Sequence, residues 1–287
     1  MEHQEGTFLG SGGLRLYYQC WLPARPPRAI VIICHGVSDH GGRYPHLVER
    51  LALAGYAVYA PDDRGDGRSE GVRLHVERFR LFVEDLKTFR DLVAAKHPDK
   101  ALYLFAHSLG GTVALEYLLD YPGTVAGLIS SATALYAGQG FPRIILWINE
   151  ALSVILPRLR LTRLPTEGIS RDEEWVKATL RDPLVYHGPG TTRLGSEIMH
   201  TMERLRPRLT EITLPLLILQ GEKDILVDAR GSKLLYEQAA SADKTYRVYG
   251  GAFHEVFNDL PESREALLRD VVAWLDAHCV TPSLPTG

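Results

Sequence analysis

The chain has 287 residues, enough to bury one large α/β core or two small ones. Hydrophobic residues make up 45% and charged residues 23% of it, as in an ordinary globular protein, and a formal net charge of −3 with no arginine-rich or lysine-rich block argues against nucleic acid as a partner. Cys20, Cys34 and Cys279 are scattered and odd in number, which weighs against a disulfide framework or a zinc site and suits a reducing, cytoplasmic setting. The start, Met1 to Gly6, has no apolar h-region of a signal peptide, and the longest apolar stretch, Ile144 to Leu156, is too short and too interrupted to span a bilayer.

In chain order, two strand patterns, Thr7 to Gly10 and Leu14 to Leu22, meet at Ser11-Gly12-Gly13 and predict a hairpin. Ala29 to Cys34 is a continuous β-branched run of the kind buried on both faces of a parallel sheet. A helix opened by Pro45 and closed by Gly55 follows, with Leu47, Val48, Leu51 and Ala52 on its inner face, and then a strand, Tyr56 to Ala60. Phe79, Phe82, Val83, Leu86, Phe89 and Val93 recur at helical spacing. Strand Ala101 to Phe105, helix Gly111 to Tyr121 and strand Val125 to Ser130 come next. The alternation resumes with strand Leu216 to Gln220, helix Arg230 to Ala240, strand Thr245 to Tyr249 and a last helix from about Glu262 to His278. Alternation of this kind predicts a mostly parallel sheet flanked by helices. Residues 1–131 and 214–280 form the expected core, and 281–287 a disordered tail. Residues 132–213 break the alternation with apolar helix-like stretches, Ile144 to Leu156 and Trp175 to Leu180, several prolines and no convincing strand. This insertion is expected to form a helical cap over the carboxyl end of the sheet.

Ser108 is the most informative residue. It lies in Ala106-His107-Ser108-Leu109-Gly110-Gly111, between an apolar strand and a helix, where small neighbours let the two backbones approach. The usual pattern of this elbow is G-x-S-x-G, and Ala106 is a small substitute for the first glycine. A serine hydroxyl needs a base, and the base an acid to hold its tautomer. Asp224, in the loop after strand Leu216 to Gln220, and His254, in the loop after strand Thr245 to Tyr249, follow in the chain order such hydrolases use. Asp228 and Glu222 are the rival acids, whereas His187, His200 and His278 lack a comparable strand-end setting. The N–H groups of Leu109 and of Val37, in the loop after Ala29 to Cys34, are the candidate oxyanion donors.

His35-Gly36-Val37-Ser38-Asp39-His40-Gly41-Gly42-Arg43-Tyr44 resembles the H-G-x-x-E-H-x-x-R-Y loop of the monoacylglycerol lipase and lysophospholipase group of α/β hydrolases. Asp62-Asp63-Arg64-Gly65-Asp66-Gly67-Arg68-Ser69 is similar to that group's D-x-R-G-H-G-x-S segment. The serine motif, Asp182-Pro183-Leu184-Val185, Gln220 to Asp224 and Gly251 to His254 also fit, in order. The resemblance runs from about Leu14 to His278. It implies an α/β-hydrolase fold with a helical cap, Ser108, Asp224 and His254 as the triad, and Val37 and Leu109 as oxyanion donors. It also implies that Asp39 and Arg43 lie at the polar end of the substrate. Asp66 departs from the group's histidine and Asp39 from its glutamate. The expected activity is hydrolysis of a single-chain lipid ester, a monoacylglycerol first, with a lysophospholipid or simple carboxylic ester as alternatives and a non-catalytic ligand-binding protein as the alternative of another class. Neither metal nor organic cofactor is needed. The apolar cap residues Phe141, Ile144 to Ile148, Leu152, Ile155 and Leu156, with Arg143, Arg158, Arg160 and Arg163 against Glu150, predict a transient contact with a membrane surface.

Overall fold

The computed structural model describes residues 1–138, 143–163 and 166–279, with the backbone alone for 143–147 and 162. The tail 281–287, Phe141, and the side chains of Arg143 and Ile144 to Trp147 therefore lie outside the described residues. The core is an eight-stranded sheet of β1 (Glu2–Leu9), β2 (Arg15–Leu22), β3 (Ile30–Cys34), β4 (Ala57–Pro61), β5 (Leu102–His107), β6 (Gly127–Ser131), β9 (Leu216–Gly221) and β10 (Lys244–Tyr249). Their order across the sheet is β1-β2-β4-β3-β5-β6-β9-β10. The β1–β2 and β2–β4 pairings are antiparallel, and from β4 onward every pairing is parallel.

The period-2 alternation of β3 shows why the sheet is covered twice. Ile30 and Ile32 join one apolar cluster, whereas Val31 and Ile33 join the other. The first cluster is closed by α2 (Arg80–Lys96), α3 (Leu109–Asp120) and α7 (Arg230–Gln238), through residues such as Phe82, Phe89, Val113 and Leu235. The second is closed by α1 (Pro45–Leu53) and α8 (Pro261–His278), through Leu47, Leu51, Leu267 and Leu275. Because β3, β5, β9 and β10 all run parallel, the loops after them open at one edge of the sheet. That edge carries the candidate site.

Between β6 and β9 lie α4 (Arg143–Ile155), β7 (Arg160–Thr162), α5 (Glu173–Arg181), β8 (Gly190–Thr191) and α6 (Thr192–Leu205). The expectation of a strand-free insertion fails at β7 and β8, which pair antiparallel. They are too short to show a period in sequence. The helix α6 was not foreseen, although Leu194, Ile198, Met202 and Leu205 carry the spacing of a helix face. Strand β1 also starts earlier than expected. Seven of its eight residues are exposed or only half-buried, so no alternation marks its first half. The cap is tied down where Thr191 donates through its N–H to the carbonyl of Leu74, at 3.1 Å.

Candidate active site

Ser108 follows β5 immediately and precedes the first residue of α3, and its φ of 54° and ψ of −119° place it in a region that L-residues rarely occupy. The turn is held on both sides: its N–H donates to the carbonyl of Ser131 at 3.0 Å, and its carbonyl accepts from the N–H of Ala134 at 3.1 Å. A side chain on Gly110 would come within 2.2 Å of the Cys34 carbonyl oxygen, so only glycine permits this approach of α3 to β3. Ala106 is wholly buried in β5 opposite Cys34, so its methyl group finds room in the core.

The loops after β9 and β10 bring Asp224 and His254 together. The His254 Nδ1–H donates to Asp224 Oδ2 at 2.7 Å. Gln220 Nε2 donates to the same oxygen at 3.0 Å, while the N–H groups of Leu226 and Val227 donate to Oδ1 at 2.9 and 3.0 Å. Burial raises the Asp224 pKa, but the imidazole and these donors outweigh it and hold the carboxylate below its ordinary range. For His254, burial opposes the charge and the Asp224 carboxylate favours it, with a net upward shift. The rivals are occupied elsewhere. Asp228 pairs with Arg230, and Glu222 accepts from the N–H of Gly251. His200 faces Glu150, and His278 faces Asp243.

Leu109 is the first residue of α3, so its N–H lies ahead of the helical ladder and at the positive end of the helix. Val37 follows β3 and precedes Ser38, which has a φ of 61°. Both line an apolar cavity of about 170 Å³ with Ser108, Ile198, Met199 and Met202. On its other side Ser108 borders a second, more polar cavity of about 140 Å³, shared with Asp39, Arg43, His187, His254 and Glu255. Val37, Leu74, Leu226 and Val227 stand between the two. His187 reaches this cavity without following a core strand, contrary to the sequence expectation, and Glu255 stands outside the sequence motifs.

A family model for serine aminopeptidase, S33, matches residues 25–261. The chain belongs to this α/β-hydrolase family. A monoacylglycerol lipase of Mycolicibacterium smegmatis is 36% identical over 274 residues, 96% of this chain and 97% of its own. The monoglyceride lipase of Homo sapiens is 30% identical over 274 residues, 95% of this chain and 90% of its own. Among solved structures, the monoacylglycerol lipase of Paleococcus ferrophilus has a TM-score of 0.82 at 34% identity, covering 92% of this chain and 99% of that one. A soluble variant of the monoglyceride lipase of Saccharomyces cerevisiae, in complex with a substrate analog, has a TM-score of 0.87 at 25% identity, covering 98% and 95%.

In this α/β hydrolase the two unusual aspartates sit in different surroundings. Asp39 lines the polar cavity, yet its Oδ1 accepts from Arg43 Nη1 at 2.9 Å and the N–H of His40 at 2.8 Å, and its Oδ2 from the Tyr44 hydroxyl at 3.0 Å. Burial opposes its charge, but Arg43 and the histidines beside it bring its pKa down to about 2. His40 in turn donates through Nε2 to Asp182 Oδ2 at 3.0 Å, so the Asp182-Pro183 motif of the cap and the His40 loop form one contact. Asp66 is buried with an unpartnered Oδ1. Burial, reinforced by Asp63 and opposed by His35 and Arg73, pushes its pKa up to about 8.

Proposed function

We propose that this chain is a monoacylglycerol lipase, releasing glycerol and a fatty acid. The observation that carries this reading is the position of Ser108 on the boundary between an apolar cavity and a more polar one. An ester with a hydrocarbon tail on one side and a hydroxyl-bearing alcohol on the other suits such a divided site. In the first step the Ser108 Oγ attacks the ester carbonyl while His254 takes the hydroxyl proton and Asp224 holds the imidazolium. The N–H groups of Leu109 and Val37 receive the oxyanion. Collapse breaks the C–O bond to glycerol, which leaves with the proton from His254. Water, deprotonated by His254, then attacks the acyl-serine; the bond to Ser108 Oγ breaks, His254 returns the proton to that oxygen, and the fatty acid is freed. Asp39 and Arg43 shape the polar end, where glycerol sits.

Contact with a lipid surface fits the cap. Among the described side chains of α4 the buried ones are Asn149, whose amide donates to the Thr192 carbonyl at 3.0 Å, and Ser153, whose hydroxyl donates to the Glu150 carbonyl at 2.7 Å. Ile148 and Ile155, seven residues apart on one helix face, are instead 50% and 75% exposed. Leu156 and Leu159 continue this apolar edge beside the exposed Arg158. Apolar area with a cation beside it suits docking on anionic lipid. No helix among the described residues is long and apolar enough to cross a membrane.

The test is parallel kinetics on 1-monoacylglycerols, lysophosphatidylcholine and p-nitrophenyl esters over a range of acyl lengths. The highest kcat/KM is expected for a monoacylglycerol. Faster turnover of lysophosphatidylcholine would make the protein a lysophospholipase, and no turnover of any ester would leave a binding protein.

A further inference from the structure

Glu255 follows His254 in the chain and is 5% exposed. Its Oε2 accepts from three donors: Arg43 Nη2 at 3.1 Å, Trp175 Nε1 at 2.9 Å and Asn258 Nδ2 at 3.0 Å. Arg43 is the hub of this cluster. Its Nη1 reaches Asp39, its Nη2 also donates to the Thr179 hydroxyl at 2.8 Å, and its guanidinium lies over the Trp175 ring. One buried cation therefore joins the Val37 loop, the His254 loop and helix α5 of the cap. Two carboxylates face that one guanidinium in a place where charge is costly. A mere clamp does not need the second carboxylate, because the amide oxygen of a glutamine would accept a hydrogen bond from the same donors.

We infer that Glu255 is a positioning residue of the hydrolytic reaction, its buried carboxylate acting with Asp224 to stabilise the imidazolium that His254 becomes when Ser108 is acylated. The inference rests on the triad assigned above. The charged and titratable groups around His254 are Asp224 at Nδ1, His107, whose ring centre is 4.5 Å away, the Glu255, Asp39 and Arg43 cluster, and His187 from the cap across the shared cavity. His107 stays neutral, since burial and then the neighbouring His254 hold its pKa far below the ordinary value. Burial opposes a charge on His254, and after Asp224 the carboxylates of Glu255 and Asp39 favour it. The Glu255 carboxylate, which lines the same cavity as His254, thus acts on the one group in the site that gains a positive charge during catalysis. A field of this kind is strong because the site is buried and the carboxylate is already oriented.

The experiment is the pH dependence of kcat/KM on a soluble short-chain ester, together with the pH dependence of fluorophosphonate labelling at Ser108, for wild type, Glu255→Gln and Trp175→Phe. The acidic limb reports the histidine of the free enzyme. Removing the carboxylate charge should move that limb to lower pH by about half a unit and lower the plateau about threefold. Trp175→Phe removes one donor to the same oxygen but keeps the charge, so its limb should stay within about 0.2 unit of wild type. An unmoved limb in Glu255→Gln, or an equal shift in both variants, would overturn the inference and leave Glu255 as a structural clamp. If the glutamine variant does not fold, Asp39→Asn carries the same expectation, because it removes the other carboxylate of the cluster. An unmoved limb there would be equally fatal. Labelling that persisted in Ser108→Ala would instead overturn the triad on which the inference rests.

Discussion

Asp224 Oδ2 lies 2.7 Å from the Nδ1 atom of His254, while the rival carboxylate of Asp228 is bonded to Arg230. Asp224→Asn should therefore lower kcat by about 10⁴-fold, as loss of the tautomer-setting acid does elsewhere, and Asp228→Asn by less than about threefold. Steady-state rates of the two purified variants on one ester settle the comparison. A larger loss at position 228 would transfer the acid there.

Ser108→Ala should abolish both turnover and fluorophosphonate labelling while leaving the circular dichroism spectrum unchanged. The methyl group has to tolerate a positive φ, but serine already does so under the constraint of Ser131 and Ala134. A variant that kept about a tenth of wild-type turnover would contradict the nucleophile assignment, since removal of a triad member costs several orders of magnitude.

The apolar cavity should set the acyl preference. Met199 lies on its wall, half-buried on α6, and Met199→Trp narrows the space without replacing Ser108, Asp224 or His254. We expect kcat/KM for a palmitoyl ester to fall about tenfold relative to a butyryl ester, because each methylene that loses its place costs on the order of 1 kcal/mol. A uniform loss over all acyl lengths would mean that the tail lies elsewhere.

The bonds of Asp39 predict how it acts. With Arg43, Tyr44 and the N–H of His40 already on its oxygens, Asp39→Ala should disturb the loop that carries Val37. Monoacylglycerol and the matching methyl ester should then lose rate alike, by about tenfold, because a displaced oxyanion donor harms every acyl transfer. A loss confined to monoacylglycerol would show that Asp39 binds a glycerol hydroxyl directly.

Asp66 makes stability depend on pH. Its carboxyl is neutral in the folded chain up to about pH 8, whereas the unfolded chain ionises it near its ordinary value. Between those limits the folded state holds the extra proton, so its contribution to stability is present at low pH and is lost as pH rises. Asp66→Asn removes this dependence. Thermal melts should show the variant gaining on wild type between pH 5 and pH 8.5, by about 3 °C or more. A constant difference in Tm across that range would mean that Asp66 is ionised throughout.

The alternation of strands with helices was legible because burial on both faces imposes apolar runs of strand length, as in Ile30 to Cys34. The juxtaposition of Ser108, Asp224 and His254 was legible for a related reason: each follows a parallel strand, and parallel strands end at one edge. The face of α6 could also have been read from its spacing. Glu255, Trp175, Thr179 and His187 could not. What unites the first three is a single guanidinium whose partners come from one helix and one loop, up to 212 residues away in the chain. Such partners are chosen by how the cap docks on the core, and docking depends on shapes and charges that no local pattern of residues records. The same holds for β7 and β8, which are 3 and 2 residues long and are defined only by their pairing with each other. Local periodicity therefore specified the frame, the strand-end motifs put Ser108, Asp224 and His254 at one edge of it, and tertiary packing alone decided the buried charges that surround them.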